Sequence, residues 1–167
     1  MNPYIFREYD IRGVVADDFP DEAVELLGKG IGTYFREKNA RTISLSGDIR
    51  LSTPHLKSIL TKGLLSTGID IIDLGIVPTP VNYYSMYVLP VDGAIQITGS
   101  HNPPDMNGFK ISLDKKAVFG KQIQHIKNII EKGVFAGGTG KVSEKSLLEE
   151  YKQMIISKIQ LARPLKI

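Results

Sequence analysis

Short runs of branched apolar residues alternate along this chain with stretches whose apolar residues recur at helical spacing, and no other feature restricts its folding as strongly. Strands are expected over Arg41–Ser46, with Ile43 and Leu45 on one face, and over Ile69–Leu74, Gly93–Thr98 and Gly108–Leu113. A helix is expected from Asp17. Asp21 and Glu22 lie in its first turn, where negative charge suits the helix dipole, and Ala23, Leu26, Leu27, Ile31, Tyr34 and Phe35 form its inner face. Gly28, Gly30 and Gly32 interrupt it, and close packing against a sheet is their expected use. A second helix takes Ser52 as its cap and Pro54 in its first turn, and stops at Gly68. A third opens at Pro78 and Pro80 and ends near Pro90. Gly120–Glu131 and Glu144–Leu161 complete the set, with FAGGTGK as a flexible linker between them.

Alternating strands and helices define the α/β class. The strands flanking TGSHNPPDMN are joined by too short a link for a parallel crossover, so the expected fold is a mixed β-sheet packed between helices. The length, 167 residues, suits one domain with a substantial core. That domain is expected over 1–162, with 163–167 beginning a linker or strand toward a second domain; the closing ARPLKI reads as a cut at that boundary.

Charge narrows the partners. Lys and Arg exceed Asp and Glu by only 3, and the excess is scattered, which argues against a nucleic-acid or membrane-surface partner. With no cysteine, disulfides and thiolate metal sites are impossible. The first residues, MNPYIFREYD, lack the apolar core of a signal peptide, and no apolar run reaches the roughly 20 residues of a membrane span. A cytoplasmic location is the expectation.

The segment best suited to chemistry is Thr98-Gly99-Ser100-His101-Asn102-Pro103-Pro104. It follows a strand, where α/β proteins place ligands. Gly99 lets the backbone bend, and Asn102 before Pro103 is biased toward an extended conformation. The loop would present the Ser100 hydroxyl; the alternative is a solvated Gly/Asn/Pro turn. Ser100 beside His101 does not make a hydrolase: neighbours in an extended chain point apart, and Asn102 stands where a nucleophile elbow needs glycine. Lys110, on the strand returning past the loop, is the better partner. A neighbouring cation would favour its neutral form as a general base, the alternative being a solvated strand lysine.

Two further clusters carry charge. Phe6–Gly13 could form a phosphate-facing corner with Arg12 as a planar fork, or an exposed edge strand. Ser46–Ser52 lies between a strand and a helix and reads as readily as a capping turn. GGTGKVS fails as a P-loop, because Phe135 and Val142 stand where that motif needs Gly and Ser or Thr. His55, His101 and His125 are far apart and suggest no metal site.

FREYDIRG, GIVPTPVNYY and TGSHNPPDMNGFKI together resemble segments of the first domain of the α-D-phosphohexomutases, in particular the bacterial phosphomannomutase/phosphoglucomutase group. The likeness runs nearly end to end. It implies that a loop serine carries a phosphoryl group and passes it to a hexose 1- or 6-phosphate. The bisphosphorylated sugar then turns around and returns its other phosphoryl group. Residue by residue, it implies Ser100 as phosphoryl carrier, Lys110 as general acid/base with His101 assisting, and Tyr9, Arg12 and Asn102 facing substrate or phosphate. It also implies Mg²⁺ bound to Ser100 through its phosphate with other ligands in a second domain, hexose 1,6-bisphosphate as activator, and further domains of the same chain as partners. One departure stands out: the family's Gly-Arg-Asp-x-Arg pattern is Ser46-Gly47-Asp48-Ile49-Arg50 here, so Gly47 replaces an arginine. The rival reading is a non-catalytic sugar-phosphate-binding or regulatory module that keeps the loop as a fold element.

Overall fold

The computed structural model describes residues 1–159 and Arg163. The expected helix end at Leu161 and all but Arg163 of the 163–167 junction lie outside the described residues. Those described build one sheet from β1 (Ile11–Val14), β2 (Thr42–Gly47), β3 (Asp70–Ile76), β4 (Gly93–Ile97), β5 (Met106–Leu113), β6 (Lys116–Ala117) and β7 (Val142–Glu144). Its order is β1-β5-β4-β2-β3-β7, with β6 paired to β5. β4, β2, β3 and β7 run parallel, while β5 is antiparallel to both β4 and β1. The sheet is therefore mixed, as the short link between β4 and β5 requires.

Helices α1 (Val15–Asp18), α2 (Asp21–Glu37), α3 (Thr53–Leu65), α4 (Thr79–Val88), α5 (Lys121–Lys132) and α6 (Leu148–Lys158) pack around it. None of the described helices is long and apolar enough to cross a membrane. β2 shows how both faces are covered. Ile43 and Leu45 join the main core with Leu27 and Ile31 of α2, Leu60 of α3 and Ile126 of α5. Ser44 and Ser46 project the other way, yet are fully buried, because α4 lies over them. Ser44 Oγ is 2.6 Å from Ser85 Oγ; Ser46 Oγ donates to Gln96 Oε1 at 2.5 Å and accepts from Asn82 Nδ2 at 2.6 Å. Burial there is tolerable because these hydroxyls are hydrogen-bonded, although Asn82 Oδ1 is left without a partner.

Four expectations need correction. The α2 glycines pack on helices, not on a sheet: a Cβ at Gly28 would lie 2.5 Å from Leu60 O and 2.9 Å from Gly63 Cα, and one at Gly30 would meet Ile130 of α5. FAGGTGK is not a loose linker. Gly138 N–H donates to Ser66 O and Gly140 N–H to Leu65 O, which docks the segment on the end of α3. The last helix starts at Leu148 rather than Glu144, since Val142–Glu144 pairs with the free edge of β3. Ser52 holds the N-cap position of α3 without capping it; its Oγ accepts instead from Asn107 Nδ2 at 2.9 Å. The edge strand offered as one reading of Phe6–Gly13 is present as β1, but it covers Ile11–Val14 and is half-buried rather than exposed.

Candidate functional site

β2 and β4 are parallel neighbours whose last residues, Gly47 and Ile97, stand opposite each other. The loops that follow, 48–52 and 98–105, are therefore delivered side by side at the C-terminal edge of the sheet, where open α/β sheets bind ligands. Together with Pro78 and Thr79 after β3, they line an open depression of about 550 Å³ that includes Ser100 and Thr98.

The backbone turns at Ser100, whose φ is +54°, and not at Gly99, which has no positive φ. This left-handed conformation is uncommon for serine. It also overturns the expectation that Ser100 and His101 point apart, which assumed an extended chain. Ser100 Oγ lies 3.1 Å from His101 Nδ1, and both residues are exposed. Gly99 matters for space rather than for bending, since a Cβ there would overlap the Arg50 guanidinium.

Arg50 is the residue that sequence reasoning missed. Its Nη1 donates to Pro103 O at 2.5 Å and Met106 O at 2.9 Å, and its Nη2 to Ser100 O at 3.2 Å and Asn102 O at 2.6 Å. Its Nε lies 3.3 Å from Asp48 Oδ2. Asp48 takes the complementary donors: Gly99 N–H at 3.0 Å on Oδ2, with Thr53 Oγ1 at 2.7 Å and Arg50 N–H at 3.1 Å on Oδ1. Burial alone would raise the Asp48 pKa, but hydrogen bonds from Thr53, the Arg50 and Gly99 amides and Thr98 hold it below the usual carboxylate value. The Asp-x-Arg spacing between a strand and a helix was the available signal, and a capping turn explained it equally well. At Gly47, a side chain would run into the Thr53 methyl group, so this position is filled by packing.

Lys110 does not contact the Ser100 hydroxyl. Its Nζ donates to Asp10 Oδ2 at 3.0 Å, and Arg12 Nη2 donates to the same oxygen at 2.5 Å. The expected cation beside Lys110 is thus present in Arg12, but with a carboxylate between them. The Asp10 side chain is only 8% exposed, which anchors both cations. Arg12 Nε is buried without a hydrogen-bond partner, which leaves its hold on Asp10 through Nη2 as the bond that fixes the guanidinium. Tyr9 is 72% exposed. Asn102 faces inward for part of its chemistry: Nδ2 donates to Gly99 O at 2.8 Å. Lys110 stands opposite Gln96 across the β4–β5 pair, so it shares a sheet face with a residue lining the depression.

For Mg²⁺ the described residues do not suffice. Among them no three His, Asp, Glu or Cys side chains are grouped to hold a metal ion.

Residues 3–137 match the family described as phosphoglucomutase/phosphomannomutase, alpha/beta/alpha domain I. A phosphomannomutase/phosphoglucomutase of Pseudomonas aeruginosa is 40% identical over 163 residues, covering 98% of this chain and 35% of its own length. A phosphoglucomutase of Neisseria meningitidis serogroup B is 42% identical over 165 residues, covering 98% and 36%. The crystal structure of a phosphoglucomutase/phosphomannomutase family protein from Burkholderia thailandensis superimposes with a TM-score of 0.93 at 36% identity, over 99% of this chain and 38% of that one. The chain thus spans little more than a third of the relatives it matches.

Proposed function

The chain belongs to the phosphoglucomutase/phosphomannomutase family through its α/β/α domain I, and from that premise we propose that it carries the phosphoserine loop of an enzyme interconverting hexose 1-phosphates and 6-phosphates. The supporting observation is an exposed Ser100 hydroxyl on a loop fixed at the C-terminal edge of the sheet, in a depression open to a ligand.

In this reading phosphorylated Ser100 meets a hexose monophosphate. A sugar hydroxyl oxygen forms the new bond to phosphorus while the Ser100 Oγ–P bond breaks, giving a hexose 1,6-bisphosphate and a free serine. The sugar hydroxyl loses its proton and Ser100 Oγ gains one. His101, 3.1 Å from Oγ, assists at the serine end, and Lys110 serves as the acid/base. After the sugar turns around, the reverse transfer regenerates phosphoserine. Arg12, whose guanidinium is held by Asp10 through Nη2, is the phosphate fork, and Tyr9 and Asn102 complete the substrate side. Phosphoryl transfer depends chiefly on positioning and on neutralising oxygen charge. In this reading Mg²⁺ would be held by the serine phosphate and by ligands in a second domain of the same chain, with a hexose 1,6-bisphosphate as activator and a cytoplasmic setting.

Ser100→Ala in the full-length protein tests it. Mutase activity should vanish while the fold survives, because an exposed loop hydroxyl contributes little packing. Intact-mass measurement should also show wild-type protein losing one phosphoryl group on phosphatase treatment and the variant losing none. Near-normal activity in the variant would overturn the proposal. Absence of both phosphate and activity in the wild type would favour the non-catalytic module.

A further inference from the structure

A guanidinium has five N–H donors. The four on the Arg50 terminal nitrogens all have acceptors, the carbonyls of the serine loop and its flank, and its Nε faces the Asp48 carboxylate as an ion pair at 3.3 Å. No terminal donor remains for a substrate phosphate, although the side chain lies beside the depression that holds Ser100. Arg12 differs: the hydrogen bond its guanidinium makes is from Nη2 to Asp10. The two arginines of this site therefore cannot play the same part.

We propose that Arg50 is a positioning residue, a strap that with Asp48 holds the Ser100 loop in the left-handed turn needed to present the serine to its phosphoryl acceptor. Three observations converge on it. Arg50 takes the carbonyls of Ser100, Asn102, Pro103 and Met106, while Asp48 takes the amide of Gly99, so the loop is gripped through both kinds of backbone group. Ser100 holds φ +54°, a conformation that costs a non-glycine residue energy and persists when its surroundings over-determine it. The absence of a side chain at Gly99 is what admits the guanidinium. The functional part of this inference rests on Ser100 being the phosphoryl carrier; the structural part does not.

The test uses Arg50→Lys and Gly99→Ala in the full-length protein. Lysine keeps the charge but has at most three donors and no planar fork. Alanine keeps both charged residues and intrudes only where the guanidinium lies. Hydrogen exchange at the amides of residues 99–102 should rise at least about tenfold in each variant, with protection in β2 and α2 unchanged. In the mutase assay kcat should fall on the order of 10²-fold with KM changed less than about threefold, the pattern of a misplaced reacting group rather than a lost ligand contact. Combined, the two substitutions should do no more harm than the worse one alone, since both break the same contact. Should Arg50→Lys fail to fold, Gly99→Ala decides the matter. Unchanged exchange in the loop would overturn the strap, and so would a raised KM at unchanged kcat, which would make Arg50 a substrate ligand. Ser100→Ala, run in parallel, separates the two claims: it should abolish transfer yet leave the loop protected. If that variant stays active, the carrier reading fails while the exchange data still decide the strap.

Discussion

Asp10 is the residue on which the proposed acid/base turns, because one of its oxygens holds both Lys110 and Arg12. A carboxylate in that position orients the lysine and keeps two cations together that would otherwise repel. If Lys110 transfers the proton, Lys110→Met in the full-length protein should lower kcat by about 10²–10⁴-fold with little change in substrate affinity. Steady-state kinetics check this, and a loss under about threefold would return Lys110 to the role of a structural partner of Asp10. Ser100, His101 and Lys110 could be proposed from the sequence because they lie in one short stretch with two glycines, two prolines and a strand around it. Asp48 and Arg50 were not. Their partners lie some fifty residues away, and the contact exists only because β2 and β4 are parallel and end in register. Ser100 beside His101 was misread because a single left-handed residue reverses the alternation assumed for an extended chain.

Among the elements, α2 and α3 set the thickness of the main core. Gly28 and Gly63 let these helices approach until a Cβ on either would strike backbone of the other. Backbone cannot step aside as the end of a flexible side chain can. Gly28→Ala should therefore destabilise the fold by roughly 1–2 kcal/mol, an overpacking penalty reduced by the gain in helix propensity. Urea unfolding should show a lower midpoint at an unchanged slope, and a higher midpoint would mean that the helices separate at no cost. The same pair shows where pattern reading stops. Apolar spacing located α2 and its buried face, since Leu27, Ile31, Tyr34 and Phe35 recur at the helical period. It did not say what the glycines face, because a glycine leaves no mark of its neighbour. β1 and β7, of 4 and 3 residues, are too short to establish an alternation and form because sheet edges offer them partners.

For the molecule as a whole, the proposed reaction and the extent of this chain lead to separable expectations. One core joins α2, α3 and α5 to the sheet, and a smaller one under α4 and α6 contains Val81 and Leu147. The 167-residue chain should therefore unfold cooperatively on its own. It should not turn over. The described residues offer no group of carboxylates for a metal, and the chain covers about 35% of a matched relative. Positioning can account for about 7–11 kcal/mol of a barrier, and without the rest of a cleft that contribution is lost. A coupled assay with glucose 1-phosphate or mannose 1-phosphate, Mg²⁺ and a bisphosphate activator checks this; conversion at the full-length rate would mean that the site is complete within these residues. The pairing of β1 with β5 also has a consequence in time. Asp10 and Lys110 are 100 positions apart, so a ribosome adding ~5–20 residues per second makes the second roughly 5–20 s after the first. Until then the first strand has no partner, and this contact closes a very long loop late in folding. The cation cluster therefore cannot form until β5 has been made, and β2, β3 and β4 all precede it along the chain.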